Sequence, residues 1–219
     1  MSPEAWMELG LIAGYGVVTF ALWRTPVLFP FKLITIYIHE LGHALAGVLT
    51  GAKIQGIEVN ANEGGACHLT GGNMWLILPA GYLGSSIFGS TLILLSIIPS
   101  TAKIAAVVVC VALALALWWA KNWLLRGLTI GFFVLIGLTW WFKEGVGLRY
   151  LIGFLGTMSA LYAVYDIYDD TIRREIKHSD ASYMAEKTGI PSIVWGILWC
   201  LFSCVLLSGA VYMGMRLKT

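Results

Sequence analysis

Long apolar runs, each about as long as a bilayer is thick and each ended by a few polar residues, follow one another along most of the chain. A helix needs about 20 such residues to span hydrocarbon. On that measure, spans are predicted at about 9–28, 31–50, 74–98, 102–120, 124–142, 148–167 and 191–215. Seven is the preferred count, and six follows if one central helix is re-entrant. The fold class this pattern predicts is an all-α polytopic membrane protein, organised as one integral domain over 1–219, with no internal repeat and no low-complexity linker.

One stretch breaks the pattern. Between 51 and 72 apolar and polar residues partly alternate on both sides of Asn60-Ala61-Asn62-Glu63-Gly64-Gly65, which predicts a short β-hairpin directly after the second span. A hairpin there leaves an open strand edge, and an extended peptide can pair with such an edge. Ile57 and Val59 are the expected contacts of a substrate strand.

Composition sharpens the membrane reading. Apolar residues make up 58% of the 219 positions and charged residues 12%, and the mean hydropathy is +0.80, outside the range of soluble domains. The formal charge of +2 comes from basic residues scattered singly at the ends of apolar runs. That excludes nucleic acid as a partner and leaves the lipid bilayer. The 14 Lys and Arg residues divide evenly between the two sides of a seven-span arrangement, so charge bias assigns no orientation, and the membrane itself is not specified. Cys67, Cys110, Cys200 and Cys204 have neither zinc-ribbon nor redox spacing.

Candidate chemistry lies in the second span, the metal helix at about 31–50. It carries His39-Glu40-Leu41-Gly42-His43, an H-E-x-x-H sequence in an otherwise apolar run. On a helix, His39 and His43 sit one turn apart and can offer two imidazole nitrogens to one zinc ion. Glu40 lies beside them as the candidate catalytic base. Two histidines in an apolar helix can also be satisfied by tyrosine or backbone groups. Three ionisable groups within five residues, at membrane depth, favour a site instead, because each is costly in hydrocarbon without a partner.

A catalytic zinc takes three protein ligands and leaves one position open. Asp166, the most apolar-flanked carboxylate in the chain, is the expected third metal ligand. Asp169 and Asp170 complete an Asp cluster over 166–170, as alternative ligands or as groups that orient a histidine through its other ring nitrogen. Glu58, Glu63 and His68 in the hairpin are further options.

These residues resemble the site-2 protease family of intramembrane zinc metallopeptidases, and within it the compact peptidase M-fifty, B-like branch. The resemblance rests on the H-E-x-x-H helix, Asn62-Glu63-Gly64-Gly65, Ala80-Gly81-Tyr82-Leu83-Gly84-Ser85, Asp166-Ile167-Tyr168-Asp169-Asp170 and Ser179-Asp180-Ala181, and reaches from residue 39 to about 199. It implies a zinc metalloendopeptidase in which activated water attacks a peptide bond of a partly unwound transmembrane protein substrate, with His39 and His43 as ligands and Glu40 as base. Site-2 proteases usually draw their third ligand from an Asp-Gly pair, and this chain has none. The alternative from another class is a non-proteolytic membrane adaptor or scaffold with a structural metal site closed by four protein ligands.

Overall fold

The computed structural model describes residues 2–168 and 179–218. Among the described residues, eight α-helices and one hairpin follow in the order α1 (Pro3–Leu22), α2 (Phe29–Leu49), β1 (Lys53–Val59), β2 (Gly65–Thr70), α3 (Met74–Ser96), α4 (Pro99–Trp119), α5 (Trp123–Trp141), α6 (Val146–Tyr168), α7 (Asp180–Thr188) and α8 (Ser192–Arg216). Local signals set most of the ends. Ser2 caps α1 from its side chain, and Pro3 opens the first turn, so α1 starts earlier than the apolar run alone predicts. It stops short of Pro26, which begins a separate 3-10 turn at Pro26–Leu28. Asn73 and Asn122 cap α3 and α5. Gly189, at φ 74, closes α7 in the left-handed conformation.

Among the described residues, six helices, α1, α3, α4, α5, α6 and α8, are long and apolar enough to cross a membrane, and the chain is a multi-pass membrane protein. Their outward faces carry exposed Val17, Phe20, Val111, Val134, Leu138 and Val205, an arrangement only lipid makes favourable. Helix α2 is of similar length but falls outside that group, and it holds Lys32, His39, Glu40 and His43. All four are buried. Helices α3, α4, α5 and α6 and both strands pack around α2, and the buried Tyr37 hydroxyl donates to the Ala112 carbonyl at 2.5 Å, tying α2 to α4.

Helices α3 and α6 approach one another closely. A Cβ at Gly89 would lie 2.4 Å from the Ala160 nitrogen and 2.6 Å from the Gly156 carbonyl oxygen, so the two backbones touch there. Small residues permit such contact, and in lipid it replaces the hydrophobic drive that water would supply. Ser86 and Ser203 link α3 to α8 through a 2.6 Å hydroxyl pair. Arg149 on α6 bonds the buried Glu8 on α1, which gives each charge a partner.

The hairpin forms where the alternation predicted it, with Ile57 opposite Cys67 and Val59 opposite Gly65. Its open edge is not where it was expected. Ile57 and Val59 are fully buried, and the segment between α4 and α5 takes the free side of β1. Lys121 donates its backbone N–H to the Ile57 carbonyl at 3.0 Å, and Asn122 Nδ2 donates to the Val59 carbonyl at 2.6 Å. A substrate strand therefore has no access to Ile57 and Val59, and the sequence expectation for them is corrected. Burial of their apolar side chains against the bundle turned the β1 edge inward.

Gly89→Ala adds a methyl group where there is no room, and overpacking of this kind costs about 1–3 kcal/mol. The expected result is a lower thermal unfolding midpoint for the purified protein in detergent. Unchanged melting would contradict the close α3–α6 contact.

Candidate metal centre

Helix α2 delivers the two histidines as the motif requires. His39 and His43 are each 6% exposed, and their Nε2 atoms lie 3.1 Å apart. The third group comes from α7: Asp180 Oδ2 is 3.1 Å from His39 Nε2 and 3.1 Å from His43 Nε2. Among the described residues, His39, His43 and Asp180 form the group able to hold a metal ion. Burial works against the Asp180 carboxylate. The facing imidazoles of His43 and His39, through charge and hydrogen bonding, outweigh burial and hold it below the usual carboxylate range.

The donors fit zinc. Ligand atoms about 2.0–2.2 Å from one tetrahedral ion lie about 3.3–3.5 Å from each other, so the observed triangle needs to open by only a few tenths of an ångström. Space has been kept for it. A Cβ on Gly81 would fall 2.4 Å from His39 Nε2 and 2.5 Å from His43 Nε2. The Pro79-Ala80-Gly81 segment of α3 thus presents bare backbone to both donor nitrogens. His43 Nδ1 is 2.7 Å from the Ile77 carbonyl, which can only accept, so the proton sits on Nδ1 and the Nε2 lone pair is free for an ion.

Glu40 is buried beside the triangle, on the wall of a cavity of about 580 Å³ that His39, His43 and Asp180 also line. The hairpin covers it: a Cβ on Gly65 would lie 2.4 Å from Glu40 Oε1. The tip of the hairpin is held by an ion pair between Glu63, at φ 65, and Lys32 of α2. Cys67 also reaches the cavity. Burial, and next the Glu40 charge, push its thiol up to about 12, so it lines the wall as a small neutral group.

The other acidic candidates lie elsewhere. Asp166, the expected third ligand, lines the same cavity but is not in the metal-holding group. It stands at the end of α6 and accepts a hydrogen bond from the Tyr82 hydroxyl at 2.8 Å and another from Tyr162. The structure brings Asp180 to the histidines in its place, because α7 packs Ala181 and Met184 against Tyr82 and Trp199 and so returns its first turn into the bundle. Glu58 pairs with His68 at 3.3 Å, and Glu63 pairs with Lys32. Asp169 and Asp170 lie outside the described residues. Asp180 was not among the expected ligands; in the sequence it is an acid directly after the helix-capping Ser179, and that position alone does not mark a metal site.

The family model described as Peptidase M50B-like matches residues 12–210. No curated protein and no solved structure matches the chain.

Gly81→Ala places a methyl group against both donor nitrogens. Metal analysis of the purified variant is expected to show loss of zinc with helical content retained, and melting lowered as at Gly89. Full zinc occupancy in Gly81→Ala would contradict this placement of the site.

Proposed function

The chain belongs to the peptidase M50B-like family, and on that premise we propose that it is a zinc-dependent intramembrane peptidase that hydrolyses peptide bonds of transmembrane protein substrates. The observation that carries the reading is the triangle of His39 Nε2, His43 Nε2 and Asp180 Oδ2, with 3.1 Å edges, opening onto a cavity that Glu40 shares. His39, His43 and Asp180 would hold the ion. When bound, zinc supplies a Lewis acid that lowers the pKa of water and polarises the scissile carbonyl.

The chain's own residues do the rest. Glu40 accepts the proton of the attacking water on its carboxylate and delivers it to the leaving amine nitrogen. Its place beneath Gly65 shields that proton from exchange with bulk solvent. With the outer side of β1 occupied, the peptide would lie along the other edge of the hairpin, where Gly65, Ala66, Cys67 and Leu69 of β2 line the cavity. Strand addition there supplies main-chain hydrogen bonds that do not depend on substrate sequence. It also requires a helical substrate to unwind locally, since a helix keeps its own backbone groups paired. The scaffold alternative requires a fourth protein ligand, and the described residues offer three.

Glu40→Gln tests the assignment on a transmembrane model substrate in liposomes. General acid–base catalysis contributes about 10²–10⁴-fold. Cleavage is expected to fall by at least about 10²-fold, with one equivalent of zinc retained. Cleavage by Glu40→Gln at the wild-type rate would overturn the mechanism.

A further inference from the structure

His39 and His43 share one job but differ on their far sides. His43 Nδ1 is anchored on the Ile77 carbonyl at 2.7 Å. His39 Nδ1 is buried and has no hydrogen-bond partner among the described residues. A ligand imidazole in zinc proteins nearly always hands its second N–H to a carboxylate or carbonyl, which fixes the tautomer and the ring plane. Among the described residues, His39 therefore lacks an acceptor that its role demands.

The carboxylate able to fill that gap is already built in. The His39 ring lies edge-on between Tyr82, at 4.6 Å between centroids, and Tyr162, at 5.6 Å. Both tyrosines give their hydroxyls to Asp166. An ionised carboxylate has about four acceptor sites, and the two tyrosines leave some of them unused. The same two side chains thus clamp the His39 ring and hold Asp166 in the shared cavity.

We propose that Asp166 is a positioning residue for the metal centre: in the zinc-loaded protein its carboxylate accepts the His39 Nδ1–H, directly or through one water. This rests on the zinc peptidase reading above. It gives His39 the tautomer that the Ile77 carbonyl gives His43, so that both Nε2 lone pairs face the ion. Asp166 thereby takes a part distinct from that of Asp180, which donates an oxygen to the ion itself.

The test is zinc affinity, measured by competition with a chromophoric chelator on purified full-length protein in nanodiscs. Loss of an outer acceptor of this kind costs about 10–100-fold in metal affinity. Asp166→Asn is expected to bind one zinc with a Kd raised by about that factor, Asp166→Glu to recover most of the loss, and Asp180→Ala to lose the site. In ¹⁵N-histidine spectra of the zinc-loaded wild type, His39 should show a bonded, slowly exchanging Nδ1 proton. Zinc affinity in Asp166→Asn within twofold of wild type would overturn the proposal. So would complete loss of zinc in that variant, as in Asp180→Ala, the sign of a direct ligand. If Asp166→Asn fails to fold, the wild-type spectrum decides, and absence of a bonded His39 Nδ1 proton overturns the assignment. A wild type that binds no zinc overturns the metal reading as a whole. A wild type that binds zinc beside an Asp166→Asn protein of equal affinity removes only the role given to Asp166.

Discussion

Two imidazoles and a carboxylate meet within 3.1 Å of one another inside a bundle whose outer surface is built for lipid. Each group loses its hydration on burial, at a cost of several kcal/mol where nothing replaces the water. The arrangement around them is an answer to that cost. Ile77 supplies a carbonyl to His43, Asp180 supplies a charge to both rings, and the bare backbone of Gly81 leaves the space in front of the donor nitrogens for an ion.

The same demand explains why α2 sits in the middle of the fold. It carries too many polar groups to face acyl chains, so other elements enclose it. Bringing α3 close enough to line the site takes residues without side-chain bulk: a Cβ at Gly42 would sit 2.2 Å from the Ala80 carbonyl oxygen. The hairpin completes the enclosure, with Gly65 over Glu40 and Glu63 paired to Lys32. Its β1 edge is spent on the α4–α5 connection, which leaves β2 to border the cavity. Candidate catalytic residues, cavity and strand edge thus lie against one another within a bundle that otherwise offers little polar surface.

Much of this was legible in the chain. Apolar run length gave the spans, and alternation around Asn60 to Gly65 gave the hairpin. The spacing of His39 and His43 gave two donors on one helix face, because those features depend on local geometry alone. What depends on tertiary approach was not legible. Asp180 follows Ser179 at the start of a short polar helix, where an acid is equally explained by the helix dipole. Only the packing of Ala181 and Met184 against Tyr82 and Trp199 shows that this turn points inward. Asp166 looked stronger because its flanks are apolar, yet that burial serves a carboxylate held by two tyrosines. Likewise, nothing in the β1 sequence announces that residues 120–122 will occupy its edge.

The fold is organised around a proposed metal centre of two histidines and Asp180 with one position left for water. Zinc K-edge X-ray absorption on the purified wild-type protein addresses it most directly. One zinc per chain is expected, with two imidazole nitrogens and two oxygen donors at about 2.0–2.2 Å. Protein that retains no zinc, or a first coordination sphere that includes sulfur or a third imidazole, would contradict it.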